Sequence, residues 1–440
     1  MTTSITTFAD LAATDQLLVV ADFDGTLADL VPDPYAVPVN TDSLAALARL
    51  AGLPGTTVTI LSGRHVDGLT QVCALRTPVN LVGSHGAESA SGSLPLTQDM
   101  RAHLAHIENS LTRILAAHPK AELEVKPYQR VAHVAKVAEE DPEAARNILE
   151  RVAEIDHGGA HITYGKNIVE FSAAEFTKGT WLAAERERVG ATRTLFIGDD
   201  ATDENGFRVL ADHDLGVKVG EGATAASVRV ADTTEVARVL TDLADARTAH
   251  TGIPAETPAR FRAVAASFTA EVLRVHDWDA QTPCSEWTAR DLVAHLATWY
   301  PANLRNAGVD LGLRTDAREN PAEAWTELVS ATQALLDDPE RSGAQFTAGP
   351  DEGQTVEQAT RGFFIPDVFM HTWDLGRSQG HDVRLDEEFA ARNLAGLESL
   401  GERLRESGQF GPAHPVPEDA RADVRLMAHI GRDPEFGLRG

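Results

Sequence analysis

The chain is poor in the features that would place it outside the cell, in a membrane or on nucleic acid. Two cysteines in 440 residues, Cys73 and Cys284, are too few for a disulfide framework, and a reducing compartment suits them. Positive charge is scarce: 39 Lys and Arg stand against 66 Asp and Glu, a formal net charge of −27. Nucleic acid and anionic membrane surfaces both need a basic face. An anionic small molecule would have to be held by a few local cations and metal ions. No apolar run approaches the roughly 18 residues of a membrane span. The opening segment MTTSITTFAD has neither the basic start nor the apolar core of an export signal. The expectation is a cytoplasmic protein with neither nucleic acid nor membrane as partner. Internal repeats and low-complexity tracts are also missing.

What is present is a globular composition, 43% hydrophobic and 24% charged, over a length that suggests two or three domains. The sequence is organised around residues 17–30, LLVVADFDGTLADL. An apolar run over 17–21 stops at Asp22 and Asp24, followed by the easy turn of Gly25. α/β sheets present carboxylates in this way at the carboxyl ends of buried strands. Residues 56–61 and 79–82 are further apolar runs, ending at Ser62-Gly63-Arg64 and at GSHGAE (83–88). Strands alternating with helical patterns predict a mostly parallel sheet covered on both faces.

Over about 96–172 the pattern changes to helix (98–117), strands (122–125 and 131–137), helix (141–155) and hairpin (161–164 with 167–171). This predicts an inserted α+β cap. The sheet pattern resumes with a helix from Lys178, strands 194–197 and 215–219, and a helix over 236–244. Residues 247–258, RTAHTGIPAETP, are polar with two prolines and read as a linker. Two domains are expected, 1–246 and 259–440. In the second, segments 259–275, 288–306, 320–337, 354–379 and 385–406, with a short stretch near 423–430, all read as helices. That predicts an all-α domain built on a four-helix bundle.

Four segments of the first domain suit one chemistry. Asp22 and Asp24 bring two carboxylates, Ser62 a hydroxyl, Lys178 an ammonium at a helix N-terminus, and Asp199 and Asp203 further carboxylates. Clustered carboxylates need a divalent cation between them, and an oxygen-only donor set points to Mg²⁺. Such a site suits a phosphoryl group. One aspartate can act as nucleophile and another as acid and base.

These segments, DFDGT (22–26), Ser62, Lys178 and GDDATDE (198–204), resemble the four motifs of the haloacid dehalogenase superfamily of phosphatases. The resemblance implies Asp22 as nucleophile, Asp24 as acid/base, and Ser62 and Lys178 as phosphate holders. It implies Mg²⁺ on Asp22, the Asp24 carbonyl and Asp199, with Asp203 in support. Together with SGR (62–64), GSHGAE (83–88), ELEVKP (122–127), GKNIVEF (165–171), KGT (178–180) and GVKVGEGAT (216–224), residues of about 15–245 resemble the trehalose-6-phosphate phosphatases. That implies a C2-type cap closing over the sugar, with Glu124, Lys126 and Glu170 at its hydroxyls and Arg64 and His85 assisting. It also implies release of trehalose and phosphate as the last step of trehalose synthesis. One departure is visible. The family's His-aromatic-Arg run after Lys-Pro is here His133-Val134-Ala135, leaving Arg130 and Lys136 as substitutes. The rival readings are a capped phosphatase for another sugar phosphate, and a metal-binding sensor or interaction protein.

In the second domain, Asp367 and His371 in PDVFMHTWDLGR stand at i and i+4, on one helix face, and His295 lies in DLVAHLATW. Two imidazoles and a carboxylate projecting into a bundle can hold Zn²⁺ or a similar divalent metal. By spacing alone a satisfied core histidine competes with that reading. WDAQTPCSEWTARDLVAHL, HTWDLGR and GRDPEF resemble the mycothiol-dependent maleylpyruvate isomerase N-terminal domain family, within the DinB-like four-helix metalloproteins. The resemblance covers about 259–436. It implies His295, Asp367 and His371 as metal ligands and a low-molecular-weight thiol as partner. Cys284 is expected in a small apolar role rather than a reactive one.

Overall fold

The computed structural model describes residues 7–89, 96–173, 177–401, 403–406 and 408–438. A short helix α1 (Phe8–Ala12) leads into β1 (Leu17–Ala21), buried at all five positions. Leu17, Val19 and Ala21 pack into one helix layer, Leu18 and Val20 into the other, as the two-residue period of a strand requires. There follow α2 (Thr41–Gly52), β2 (Thr56–Leu61), α3 (Val66–Val72), β3 (Asn80–Gly83) and β4 (Glu88–Ser89). The cap runs α4 (Gln98–Leu115), β5 (Glu122–Val125), β6 (Gln129–His133), α5 (Ala135–Ala138), α6 (Pro142–Ala153), β7 (His161–Gly165) and β8 (Ile168–Ser172). The chain then returns through α7 (Lys178–Val189), β9 (Arg193–Gly198), α8 (Asp203–Phe207), β10 (Leu215–Val219), β11 (Val228–Val230) and α9 (Thr233–Thr251).

The main sheet has the order β11-β10-β9-β1-β2-β3-β4, parallel except for β4. β1 lies at its centre, with Ala21 opposite Ile60 of β2 and Ile197 of β9. This register brings the chain just beyond each strand, at Asp22, Ser62 and Asp199, to one edge of the sheet. The cap sheet is antiparallel, in the order β5-β6-β8-β7. Leu123, Ala132, Val169 and Phe171 pack with Ile107, Leu111, Ile148 and Val152 of α4 and α6. Alternation sends Glu124, Gln129, His133 and Glu170 to the opposite face.

The remainder of the described chain is helical: α10 (Thr257–Leu273), α11 (Ala289–Leu304), α12 (Pro321–Leu336), α13 (Pro339–Ser342), α14 (Val356–Ala359), α15 (Ile365–Ser378), α16 (Glu387–Glu398), α17 (Arg403–Glu406) and α18 (Ala422–His429). α10 and α11 each pack against both α12 and α15, around Phe261, Phe268, Leu296, Trp325, Phe364 and Trp373. α10 also lies along α2, so α2 is covered on both sides. No helix among the described residues is long and apolar enough to cross a membrane.

Four expectations shift. The strand expected over 131–137 is β6, ending at His133. Val134 turns out of it (φ −124°, ψ 15°), and Lys136 sits in α5. The helix expected over 354–379 is broken by a π turn at Thr360–Phe364. The one expected over 385–406 divides into α16 and α17, and residue 402 lies outside the described residues. The linker is shorter than 247–258. Arg247 is buried inside the last turns of α9, donating to the carbonyls of Ala12, Pro54 and Gly55, and α10 begins at Thr257 with Pro258 in its first turn. Only residues 252–256 connect the two helices.

Candidate active site and candidate metal centre

Asp22 follows β1 directly and is 5% exposed, and Lys178, in the first turn of α7, is 2% exposed. The Lys178 ammonium lies 2.8 Å from Asp22 Oδ1 and 2.8 Å from Asp203 Oδ1. The other Asp203 oxygen accepts the backbone N–H groups of Asp199 and Asp200, both at 3.0 Å. Asp203 thereby shapes the turn that carries Asp199. Gly25 (φ 78°) passes so close that a Cβ there would lie 2.2 Å from Asp199 Oδ2; only glycine fits. Lys218, buried under the site, donates to the Asp199 carbonyl. Ser62 is 1% exposed, and its hydroxyl accepts the Arg64 N–H at 3.1 Å.

Burial is the largest influence on Asp22 and pushes its pKa well up; Lys178 pulls it back, and Asp199 and Asp200 push it further up. Asp199 and Asp203 are raised too, again by burial first and then by neighbouring aspartates. Burial would lower the Lys178 pKa, but Asp22 and Asp203 more than offset it and hold the amine cationic. Asp200 moves the other way, to about 2: burial opposes the shift, but Lys178 and hydrogen bonds from Thr202 and Asp203 outweigh it. The Asp22, Asp199 and Asp203 oxygens lie within 4.8 Å of one another, and Asp199 Oδ1 is buried without a hydrogen-bond partner. A site that presses three carboxylates together and leaves one oxygen unsatisfied suits a hard divalent cation such as Mg²⁺.

The cap residues form a second cluster. Glu124 Oε2 is 2.9 Å from His133 Nε2 and 3.7 Å from the Lys126 ammonium. Glu170 accepts from Gln129 Nε2 at 2.9 Å, and burial raises its pKa. His85, in a left-handed turn (φ 54°), has its ring over Gly63 and a buried Nδ1 without partner. Burial drives its pKa down to about 4, and Lys178 of the core and Lys126 of the cap add to this. Both sides of the cleft are thus felt at His85. Arg64, expected to assist at the sugar, forms a two-pronged pair with Asp24, Nε to Oδ2 and Nη2 to Oδ1, each 2.6 Å. Neither substitute for the missing cap arginine is free: Arg130 is bound to Glu108 and to the Lys126 carbonyl, and Lys136 to Glu122. Gln129 carried no mark in the sequence. His133, Asp200 and Lys218 stood inside marked stretches, at 133–135, 198–204 and 216–224, with no role assigned to them.

In the helical part, α11 and α15 bring His295, Asp367 and His371 within 4.8 Å of one another. Asp367 stands between the imidazoles, 3.3 Å from His295 Nε2 and 3.3 Å from His371 Nε2, and accepts from Trp299 Nε1 at 2.9 Å. The Trp287 ring packs on His295, with centroids 4.6 Å apart. Burial would raise the Asp367 pKa, but the two histidines overcome it and hold the carboxyl far below its usual range. His371 is raised well above an ordinary histidine, because Asp367 and Asp374 outweigh its burial. The other nitrogen of His371, Nδ1, lies 2.9 Å from Asp374 Oδ2, a carboxylate–histidine pair of the kind that orients metal ligands. The donor set suits Zn²⁺ or a similar ion. Cys284 departs from its expected apolar role: its Sγ lies 3.2 Å from Asp374 Oδ2 and 3.0 Å from Arg432 Nη2. The position of Asp374, three residues after His371 on one helix, was a readable signal; Arg432 stood in the GRDPEF stretch with no role assigned to it.

Comparison with known proteins bears on the first part of the chain. Residues 20–239 match the trehalose-phosphatase family. The trehalose-6-phosphate phosphatase of Escherichia coli (strain K12) is 33% identical over 231 residues, 49% of this chain and 82% of that protein. The bifunctional trehalose-6-phosphate synthase/phosphatase of Thermoproteus tenax is 31% identical, over 51% of this chain and 31% of that protein. A solved structure described as a trehalose-6-phosphate phosphatase related protein shares 26% identity over 52% of this chain and 97% of its own, with a TM-score of 0.42. The helical half lies beyond the matched span. With 220 of its 440 residues matched and the E. coli relative covered over most of its length, the chain belongs to the trehalose-phosphatase family.

Proposed function

We propose that the first half of the chain hydrolyses trehalose 6-phosphate to trehalose and phosphate through an aspartyl-phosphate at Asp22. The observation that carries this reading is the buried Asp22–Lys178–Asp203 bridge at the sheet edge of a trehalose-phosphatase family member. An oxygen of Asp22 attacks phosphorus, the bond from phosphorus to the sugar oxygen breaks, and Asp24 gives that oxygen a proton. Asp24 then takes a proton from water as the water oxygen bonds to phosphorus, and the bond to Asp22 breaks. Lys178 and Ser62 hold the phosphoryl oxygens. Asp22, the Asp24 carbonyl and Asp199 would hold Mg²⁺, with Asp203 fixing the Asp199 turn. The ion would neutralise charge on the phosphoryl group. Glu124, Lys126, Glu170 and His85 would meet the sugar hydroxyls, each offering several donors or acceptors to a polyol. A panel of sugar phosphates tests the substrate: a clear preference for trehalose 6-phosphate is expected, and equal rates on unrelated esters would overturn it.

The helical half, in this reading, is a DinB-like four-helix metal-binding domain holding Zn²⁺ or another divalent ion on His295, Asp367 and His371. A low-molecular-weight thiol is its proposed partner and the cytoplasm the proposed setting of the whole chain. The grouping of those three side chains around one point supports the metal. The domain division is proposed at the connection after α9. Metal analysis of the purified protein is the test, and a metal-free bundle would defeat the assignment.

A further inference from the structure

Arg64 spends its guanidinium entirely inside the core. Nε and Nη2 form the fork on Asp24, and Nη1 donates to the Pro34 carbonyl at 2.5 Å. The group lies 5.7 Å from the Phe23 ring centre. Its main chain is fixed as well: the N–H donates to Ser62 Oγ at 3.1 Å, and the carbonyl accepts from Ser84 at 2.7 Å. Among the described residues the Asp24 carboxylate has no other hydrogen-bond partner. Asp24 stands on a turn rather than on a strand, before Gly25 at φ 78°, and its side chain is 31% exposed. Without Arg64 nothing would fix its rotamer.

From this we infer that Arg64 is a positioning residue for the proton-carrying carboxylate and not a sugar contact. The inference rests on the aspartyl-phosphate mechanism proposed above. A two-pronged guanidinium pair fixes both the place and the plane of a carboxylate, which a single point charge cannot do. Asp24 has to face the bridging oxygen in the first step and water in the second. Displacement by about 1 Å in such a group costs roughly 100-fold in rate. Both proton transfers suffer when Arg64 is lost, while phosphate binding on Ser62 and Lys178 is untouched.

The two steps can be separated by leaving group. The sugar alkoxide needs a proton; p-nitrophenolate does not. The experiment compares the Mg²⁺-loaded full chain with Arg64→Lys and Arg64→Met, on trehalose 6-phosphate in steady state and on p-nitrophenyl phosphate by stopped flow. The expected result is a kcat on trehalose 6-phosphate lower by about 100-fold, with KM nearly unchanged. On the aryl ester, about one equivalent of nitrophenolate should appear rapidly and be followed by slow turnover, because the phosphoenzyme then waits for Asp24 to activate water. Arg64→Lys, which retains charge and fold, should show the same burst. A raised KM for trehalose 6-phosphate with unchanged aryl turnover would make Arg64 a sugar contact and overturn the inference. So would an equal loss on both substrates without a burst, the mark of a merely structural role. If the unaltered protein ignores trehalose 6-phosphate, the substrate reading fails separately, and the aryl burst still decides the role of Arg64.

Discussion

The ammonium of Lys178 lies 2.8 Å from Asp22 Oδ1, with both side chains almost wholly buried. Breaking such a pair leaves a carboxylate in the interior without its counter-charge, a cost of about 3–5 kcal/mol. Lys178→Met should therefore unfold at clearly lower urea than the parent in metal-free buffer. Its phosphatase rate should fall by roughly 100- to 1000-fold, the usual loss when a stabilising donor is removed. Equal urea midpoints would show that the pair does not hold the site together.

The pressed carboxylates predict a pH dependence. Burial first, and then like charge, lift the Asp22 pKa from 3.8 to about 7. Between those values the native protein keeps a proton that the unfolded chain has released. The contribution of this group therefore falls as pH rises from about 4 to about 7. Mg²⁺ held on these carboxylates, as proposed, would compete with that proton. The rise in melting temperature on adding Mg²⁺ should be larger near pH 7.5 than near pH 5.5, because at the lower pH part of the binding free energy goes to displacing the proton. Thermal melts in chelator and in Mg²⁺ at the two pH values check this; a larger Mg²⁺ effect at the lower pH would contradict it.

At the second centre, His295→Ala and His371→Ala should each abolish the divalent ion counted in the helical half, leaving phosphate release unchanged. Asp374→Asn should weaken metal binding by about 10- to 100-fold, because Asp374 Oδ2 holds His371 Nδ1 at 2.9 Å. Elemental analysis and chelator competition read both effects.

The two halves meet where α10 crosses α2. A Cβ at Gly52 would lie 2.3 Å from the Ala266 methyl carbon, and Arg274 reaches across to Asp42 at 2.7 Å. Gly52→Val should force the helices apart at a cost of about 1–3 kcal/mol. The fragment 1–251 should melt below the full chain, since it uncovers the outer side of α2. Differential scanning calorimetry checks both, and an unchanged melt of the fragment would show that the contact contributes little.

Much of this was readable because the sequence signal was local. β1 is an apolar run stopped by aspartates, and the in-register ends of β1, β2 and β9 follow from the parallel pattern. What escaped depends on side-chain direction or on small backbone departures. Val131, Val134 and Val137 read as one β-branched strand, but Val134 leaves the ladder and the strand stops at His133. Residues 354–379 read as one helix, although Pro366 has no N–H to give Gly362 and so marks the place where the π turn at Thr360–Phe364 interrupts it. Arg247 was assigned to a linker because it opens a polar stretch with two prolines, whereas its guanidinium donates to the carbonyls of Ala12, Pro54 and Gly55, 192 to 235 residues away in sequence. Arg64 sits beside Ser62 in a readable motif, but spacing says nothing of the fork it makes with Asp24. Cys284 was judged by its neighbours in sequence rather than by Asp374 and Arg432, which only the fold brings to it.

The most direct test of the central claim is rapid-quench trapping with trehalose 6-phosphate labelled in its phosphoryl group, run on the unaltered chain and on Asp22→Asn in Mg²⁺. The account predicts transient, alkali-labile label on the peptide bearing Asp22 in the unaltered chain. In Asp22→Asn it predicts no label and no phosphate release, with a far-ultraviolet circular dichroism spectrum unchanged from the parent. Phosphate release from Asp22→Asn at a rate near that of the parent, or label on a different residue, would contradict it.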